Sequence, residues 1–198
     1  SVVEPFVCLP VFPGTNCDFD TAKAFRRAGA RVEPFVLRNL SAEDIDSSIR
    51  ELAENIRRSH ILALCGGFSA GDEPDGSGKF IANVIANAEV GAAIEDLIVR
   101  GGLILGICNG FQALVKSGLL PYGRLGCVTE GSPTLFRNDI NRHVSLIATT
   151  RVCSTASPWL AGMHVGDEHS VAFSHGEGKF VVSEKMAREL FAHGQVAF

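Results

Sequence analysis

Positive charge is scarce in this sequence and is nowhere clustered. Its 198 residues include 18 lysines and arginines against 22 aspartates and glutamates, for a net charge of −4. Nucleic-acid-binding domains carry a basic patch that faces phosphates, so this composition gives no electrostatic support for that function. Long apolar runs are also missing. The longest, near residues 60–64 and 101–107, are far shorter than a membrane span, and the first residues do not resemble a signal peptide.

Paired cysteines are a second absence. The six cysteines are scattered, and no C-x-x-C pair occurs. Disulfide scaffolds belong mainly to small secreted chains, so this chain predicts a reducing, cytoplasmic setting, with no disulfide framework and no metal site. We therefore expect most of the cysteines to be small buried hydrophobic side chains.

Apolar runs and helical periods alternate along the first two thirds of the chain. This β-α-β-α-β order predicts an α/β fold with a doubly wound, mostly parallel sheet. The nearly unbroken apolar run at 102–107 predicts a central strand that is covered on both faces. The predicted strands are residues 5–11, 31–37, 60–64 and 102–107, and the predicted helices are 21–28, 41–56, 79–88, 90–99 and 109–117.

The pattern changes after about residue 120. Residues 143–152, 171–175 and 179–183 are strand-like and are separated by turn residues, which predicts a small antiparallel extension. A helix is expected at 183–192, and residues 195–198 have the pattern of the start of another strand. We expect one domain over residues 1–198, in a chain that is a C-terminally incomplete fragment of a larger enzyme.

Cys108 lies in a G-x-C-x-G motif at residues 106–110, between the apolar strand and a helix. A nucleophile elbow occupies this position in α/β enzymes, because flanking glycines permit the sharp turn that lifts the side chain above the sheet. The positive end of the following helix would also favour a thiolate there. The alternative is a buried, unreactive cysteine in a tight turn.

A glycine-rich loop, G-G-F-S-A-G-D at residues 66–72, follows the third predicted strand. In a parallel sheet this loop would lie beside Cys108, and the backbone N–H groups of Gly67 and Asn109 are candidates to bind a developing oxyanion. A flexible loop without a role is the alternative. The nearby sequence at residues 76–80 resembles the end of a P-loop, but Phe80 replaces the Mg²⁺-binding hydroxyl, and acidic residues at 72, 73 and 75 would repel phosphate.

A third motif, S-H-G-E-G at residues 174–178, contains a histidine and a carboxylate. A cysteine nucleophile needs a base and an orienting group, and His175 and Glu177 could form such a pair. The alternative is a polar turn whose backbone shapes a pocket.

Together these motifs, with P-G-T-N-C-D at 13–18, resemble the class I (triad) glutamine amidotransferases, and among them the glutaminase domain of phosphoribosylformylglycinamidine synthase. The four motifs occur in the family's order and span most of the chain. The resemblance implies a flavodoxin-like fold in which Cys108 attacks the glutamine side-chain amide, releases ammonia and leaves a thioester that water hydrolyses. It implies a separate synthetase domain, on this or a partner chain, that uses ATP and Mg²⁺ to make formylglycinamidine ribonucleotide, with no cofactor in this domain.

The resemblance also assigns the site residues. Cys108 is the nucleophile, with Gly67 and Asn109 as oxyanion donors. The residues expected to contact glutamine are Phe68, Gln112, Ser174, His175, Gly176 and Glu177. The family's catalytic histidine and glutamate form an H-x-E motif, and none follows Glu177 here, so we expect that pair to lie beyond Phe198. A non-catalytic docking domain of the same fold, or another cysteine hydrolase, are the alternatives.

Overall fold

The computed structural model describes residues 3–68 and 78–198. Residues 69–72 of the predicted glycine-rich loop and residues 76 and 77 of the P-loop-like segment lie outside the described residues. The chain divides into two compact units, Ser1–Val128 and Thr129–Phe198, which we call the N-terminal and C-terminal units. No helix among the described residues is both long and apolar enough to cross a bilayer. The expectation of one domain over the whole chain stays a prediction.

A four-stranded parallel sheet forms the centre of the N-terminal unit. Its spatial order is β2-β1-β3-β4, and every neighbouring pair is parallel. The strands are β1 (Phe6–Val11), β2 (Arg31–Val36), β3 (Ile61–Leu64) and β4 (Leu103–Gly106). The helices are α1 (Asp18–Arg27), α2 (Ala42–Arg58), α3 (Lys79–Ile85), α4 (Ala88–Val99), α5 (Asn109–Ser117) and the short α6 (Leu119–Tyr122). The sequence prediction of a parallel α/β fold is confirmed.

Successive side chains along the strands belong to two different hydrophobic clusters, one on each face of the sheet. Val7, Leu9 and Ile61 pack with Ala22 of α1. Cys8, Leu62 and Leu64, which point to the other face of the sheet, pack with residues of α2 to α5. Because successive side chains of a strand point to opposite faces, helices cover both faces of this sheet, as a doubly wound fold requires.

The N-terminus of α2 shows how local sequence begins a helix. The Ser41 hydroxyl accepts a hydrogen bond from the Asp44 backbone N–H at 3.1 Å. This bond satisfies one of the N–H groups that a helix leaves without an intrahelical partner at its first turn. The predicted cap at residues 41–44 is therefore confirmed.

The position of β4 differs from the prediction. The run at 102–107 was expected to be a central strand, but β4 is the edge of the four-stranded sheet, and its four residues are half-buried. On one side β4 pairs with β3, and no described strand pairs with its other side. An apolar run indicates that a strand is shielded from water, but it does not indicate whether the strand has a neighbour on one side or on both.

The C-terminal unit contains two antiparallel pairs, which confirms the predicted antiparallel extension. The strands are β5 (Thr134–Phe136), β6 (Val144–Arg151), β7 (Glu168–His175) and β8 (Lys179–Val181), followed by α7 (Glu184–Ala192). β5 pairs with β8, and β6 pairs with β7 from Val144↔His175 to Arg151↔Glu168. A single turn of 3-10 helix spans Pro158–Leu160.

Two details of this unit differ from the sequence prediction. The strand expected to start at 195–198 is not a strand. Instead, the Ala197 carbonyl accepts hydrogen bonds from the N–H groups of Cys153, at 2.8 Å, and Ser154. β5 was not predicted, because three residues are too few to show an alternating pattern.

Candidate active site

Cys108 stands in the turn between β4 and α5, immediately before the first helical residue. It is exposed, and its backbone has φ 51° and ψ −108°. Residues other than glycine rarely adopt a positive φ, and a residue held in such a backbone conformation costs about 1–3 kcal/mol of stability. Strain of this kind persists only where the surrounding structure enforces it, and it concentrates at functional sites.

The glycines on either side of Cys108 enforce this turn through close packing. A Cβ on Gly110 would lie 2.2 Å from the Leu64 carbonyl oxygen, and a Cβ on Gly106 would lie 2.6 Å from the Leu114 side chain. The N-terminus of α5 therefore rests directly on the end of β3. The Gly110 N–H donates to the Ile107 carbonyl at 2.9 Å, which closes the turn around Cys108. The elbow predicted from G-x-C-x-G is present.

The Gly66-Gly67 loop lies against this turn, as the sequence predicted. A Cβ on Gly66 would be 3.2 Å from the Cβ of Cys108. Gly67 has φ 138°, and a Cβ there would be 2.4 Å from the Gly14 carbonyl oxygen. The positive φ and the close approach to backbone require glycine at position 67, and the tight contact with Cys108 favours glycine at position 66. We name the Cys108 turn and the Gly66-Gly67 loop together the elbow region.

The loop after β1 holds the Gly66-Gly67 loop in place, and this role was missed from the sequence. The Asn16 N–H donates to the Gly66 carbonyl at 3.3 Å, and the Phe68 N–H donates to the Gly14 carbonyl at 3.0 Å. Thr15 forms an isolated antiparallel bridge with Gly67. In the sequence, the P-G-T-N-C-D motif indicates only the resemblance to the family. Its support of the Gly66-Gly67 loop depends on contacts about 50 residues apart in sequence, which no local pattern shows.

The other predicted residues of this unit lie around the same turn. Asn109 is buried, and its side-chain amide donates to the Gln112 side-chain oxygen at 3.5 Å. The Gln112 N–H donates to the Cys108 carbonyl at 3.0 Å, within the first turn of α5. Phe68 is 76% exposed. The structure thus brings Cys108, Gly67, Asn109, Gln112 and Phe68 to one end of the sheet.

The cysteines do not follow the expectation that most are buried. Cys8 and Cys65 are buried, Cys127 is half-buried, and Cys17, Cys108 and Cys153 are exposed. Burial raises the pKa of the Cys8 thiol to about 12, and burial likewise raises the pKa of the Cys65 thiol. Both buried thiols therefore stay protonated near neutral pH. The expectation failed because thiols in exposed turns have no sequence signal that separates them from core thiols.

The S-H-G-E-G motif lies at the end of β7 and in the turn to β8, in the C-terminal unit. The His143 Nε2 atom and the Ser174 hydroxyl are 2.8 Å apart. The Gly178 N–H donates to the Nδ1 atom of His175 at 3.0 Å. A neutral imidazole has one acceptor nitrogen, so this bond places the ring proton on Nε2. In this arrangement Nε2 is a donor, and His175 is poorly prepared to accept a proton as a general base.

Asn138, which the sequence did not single out, is bonded to the same motif. Its side-chain amide donates to the His175 carbonyl at 2.9 Å, and its backbone N–H donates to the Gly176 carbonyl at 2.8 Å. Within residues 3–68 and 78–198, no group of three or more histidines, cysteines or acidic residues is placed to hold a metal ion. The prediction of no metal stays a prediction.

A parallel α/β sheet that presents an exposed cysteine in a strained strand–helix turn, packed against Gly66, defines a class: enzymes built around a nucleophile elbow. Comparison with known proteins narrows this class. Residues 4–198 match the model of the CobB/CobQ-like glutamine amidotransferase domain. The chain is similar to phosphoribosylformylglycinamidine synthase subunit PurQ of Roseobacter denitrificans, at 31% identity over 95% of this chain and 72% of that one.

Other relatives agree with this comparison. The PurQ subunit of Dehalococcoides mccartyi is 34% identical over 90% of this chain and 64% of its own length. A chain in the structure of PurLQS from Thermotoga maritima superposes with a TM-score of 0.67 at 26% identity, over 91% of this chain and 71% of that one. The chain thus spans roughly two thirds to three quarters of the length of these relatives.

The chain therefore belongs to the glutamine amidotransferase family, in the group that contains the PurQ subunits of phosphoribosylformylglycinamidine synthase. The resemblance drawn from the motifs, the flavodoxin-like α/β fold and the prediction of an amidotransferase enzyme are confirmed.

Proposed function

We propose that this chain hydrolyses glutamine to glutamate and ammonia through a thioester on Cys108, and that the ammonia is used to make formylglycinamidine ribonucleotide in purine biosynthesis. The observation that carries the proposal is the strained, exposed Cys108 turn packed against Gly66. A cysteine held this way meets the geometric need of a nucleophile whose substrate arrives above the carboxyl ends of the strands.

The reaction has two steps. The Cys108 sulfur attacks the amide carbon of the glutamine side chain, and the carbonyl oxygen takes on negative charge. The N–H groups of Gly67 and Asn109 are the proposed donors to that oxygen. When the carbon–nitrogen bond breaks, ammonia leaves with the proton that the thiol gave up, and a γ-glutamyl thioester remains. Water then attacks the thioester, which releases glutamate and restores the thiol.

Gln112, Phe68 and the S-H-G-E-G motif are the proposed contacts to the rest of the glutamine molecule. We assign His175 to substrate binding and not to proton transfer. Its Nδ1 atom accepts the Gly178 N–H at 3.0 Å, so this ring nitrogen is engaged in holding the turn.

The proposed partner is the synthetase component of the same enzyme. Similarity to synthase subunits and to a chain of the PurLQS structure supports this partner. ATP and Mg²⁺ would act at the synthetase site, since thiolate attack on an amide requires neither. We place the protein in the cytoplasm, where its free cysteines would stay reduced. Cell fractionation followed by immunoblotting would test this location.

Glutamate release by the protein together with its synthetase partner tests the proposal. Cys108→Ala removes the nucleophile, and we expect the rate to fall by about a thousandfold or more. Hydroxylamine added to the wild type should yield γ-glutamyl hydroxamate, because it captures the thioester in place of water.

Cys153→Ala is the matched control, since Cys153 is also exposed but lies in the C-terminal unit. It should release glutamate at the wild-type rate. Equal rates for the wild type and Cys108→Ala would refute the proposal and favour a non-catalytic docking domain of the same fold.

A further inference from the structure

Cys17 lies beside Cys108 in the N-terminal unit. It immediately precedes α1, and both cysteines are exposed. A Cβ built on Gly66 would be 3.2 Å from the Cβ of Cys108 and 3.7 Å from the Sγ atom of Cys17. The two side chains therefore approach the same point, and Gly66 has no side chain that would separate them. The proposed nucleophile thus has a second accessible thiol close to it.

The thiol of Cys17 is less constrained than the backbone around it. The Asn16 N–H ties this segment to the Gly66 carbonyl at 3.3 Å. The Cys17 thiol donates to the exposed side-chain oxygen of Asn16 at 3.0 Å, a bond that water can replace, and it does not cap α1. A disulfide needs two Cβ atoms about 3.5–4.5 Å apart. Pairing with Cys108 therefore requires rotation of both side chains and a shift at the start of α1, where Cys17 and Phe19 are exposed.

A third thiol, that of Cys65, is next to Gly66 in sequence but is not accessible. Cys65 is buried, and burial raises its pKa even though a hydrogen bond with the Thr21 side chain acts in the opposite direction. It therefore stays protonated near neutral pH, and a protonated thiol is a poor nucleophile. Of the two thiols near Gly66 other than Cys108 itself, Cys17 is the one able to react with an oxidised Cys108.

We propose that Cys17 and Cys108 form a reversible disulfide when a peroxide oxidises the protein, and that this bond switches off glutamine hydrolysis. The bond itself requires two accessible thiols and nothing more. The loss of hydrolysis rests on the proposed function, because it takes Cys108 as the nucleophile.

The oxidation proceeds in two steps. The Cys108 sulfur attacks one oxygen of hydrogen peroxide, the O–O bond breaks, and the released hydroxide takes the thiol proton to give water. The Cys17 sulfur then attacks the resulting sulfenic acid, the S–O bond breaks as the S–S bond forms, and a second water leaves with the Cys17 proton. Two thiols thus lose two electrons, and the peroxide is reduced to two waters. Pairing also prevents further oxidation of Cys108 to the sulfinic acid, which thiol reagents do not reverse.

The experiment exposes the protein, together with its synthetase partner, to hydrogen peroxide. Free thiols are then alkylated, and the digested protein is searched by mass spectrometry for a peptide that links Cys17 to Cys108. Glutamate release is measured before treatment, after it, and after dithiothreitol is added. For the wild type we expect the linked peptide, a fall in rate of about tenfold or more, and recovery to within about twofold of the untreated rate.

Cys17→Ser removes the second thiol, and each variant is compared with its own untreated rate. After prolonged exposure we expect this variant to lose activity without recovery, with two added oxygens on Cys108, because the sulfenic acid has no thiol to pair with. Cys153→Ser is the matched control, since Cys153 is exposed but lies in the C-terminal unit. It should lose and recover activity as the wild type does.

Four results would overturn the inference: no linked peptide after treatment, a link from Cys108 to another cysteine, a link between two copies of the chain on a non-reducing gel, or full recovery of Cys17→Ser. Each leaves the proposed function standing if Cys108→Ala is inactive. Undiminished glutamate release by Cys108→Ala would instead refute the proposed function, and the linked peptide would still report whether the disulfide forms.

Discussion

The elbow region and the S-H-G-E-G motif are held in place in different ways. At the elbow, backbone lies directly on backbone: α5 approaches so closely that a single added methyl on Gly110 would lie 2.2 Å from the Leu64 carbonyl oxygen. At the S-H-G-E-G motif, the side-chain amide of Asn138 donates to the His175 carbonyl, and the backbone N–H of Asn138 donates to the Gly176 carbonyl.

This difference indicates which part of the protein must be positioned most precisely. A nucleophile must be placed within a few tenths of an ångström of the position from which it attacks its target carbon. Close-packed backbone holds such a position because it moves very little. The S-H-G-E-G motif, which we propose to contact the substrate away from the reacting carbon, needs less precise placement, and hydrogen bonds from one asparagine suffice. The elbow region should therefore be intolerant of small changes, and the C-terminal motif should respond to them by degrees.

Gly110→Ala is the largest test of this comparison. The added methyl cannot be accommodated without moving α5 away from β3, and overpacking against backbone costs about 3 kcal/mol. We expect Tm to fall by several degrees and glutamate release to drop at least about a hundredfold, because Cys108 moves with the helix. Thermal unfolding and the glutaminase assay measure the two effects.

Gly131→Ala is the control, since a Cβ at that position meets nothing within 4 Å. It should change neither quantity. If Gly110→Ala retained wild-type activity, the elbow would not depend on close packing, and the contrast between the two regions would be lost.

His175→Ala gives an intermediate effect. The variant loses the Gly178 bond and the ring, which packs edge-on against Phe173, but it keeps the carbonyl that Asn138 binds. We expect KM for glutamine to rise about tenfold and kcat to change little. Steady-state kinetics beside His164→Ala, an exposed histidine in another turn, give the comparison. A collapse of kcat as deep as that of Cys108→Ala would show that His175 is the general base after all.

Cys8 provides the smallest test, and it concerns stability. Burial on one face of the sheet disfavours the thiolate and raises the pKa of Cys8 from its ordinary value of 9.0 to about 12. The folded state therefore holds this proton more tightly than the unfolded state does. Its contribution to stability is complete below pH 9 and is lost as the pH rises from 9 toward 12.

Cys8→Ala removes that titration. We expect the free energy of unfolding of the wild type to fall more steeply between pH 9 and 12 than that of the variant, measured by urea unfolding at each pH. The comparison uses the slope of the free energy of unfolding against pH. This slope does not include the loss of stability caused by the smaller side chain, because that loss is the same at every pH. Parallel slopes would mean that Cys8 is accessible to solvent, and that the packing on this face of the sheet is looser than the structure shows.

Much of the N-terminal unit was predictable because its signals are local. Apolar runs predicted four strands, Ser41 predicted a helix start, and the glycines around Cys108 predicted the elbow. What escaped prediction depends on distant contacts. Three features join residues far apart in the chain: the edge position of β4, the support of Gly67 by the loop after β1, and the hydrogen bonds from Asn138 to the 174–178 motif. The periodicity of apolar residues along the sequence does not indicate such contacts.

The exposed thiols of Cys17 and Cys153 escaped for another reason. Cysteine is apolar enough to be expected in the core, and its neighbours in sequence do not reveal its exposure. Residues 195–198 have a strand-like composition, but they form an irregular segment that bonds to Cys153 through a single carbonyl. Composition alone cannot distinguish an extended tail from a paired strand.

The unusual backbone of Cys108 has an evolutionary consequence. The turn is enforced by close packing of the backbone at Gly106 and Gly110. Replacing Cys108 by glycine would abolish the chemistry and relieve the positive φ, so the fold would survive the loss of its nucleophile with a gain in stability. A lineage that no longer needed glutamine as its nitrogen source could thus keep this scaffold for assembly alone, one substitution away from the enzyme.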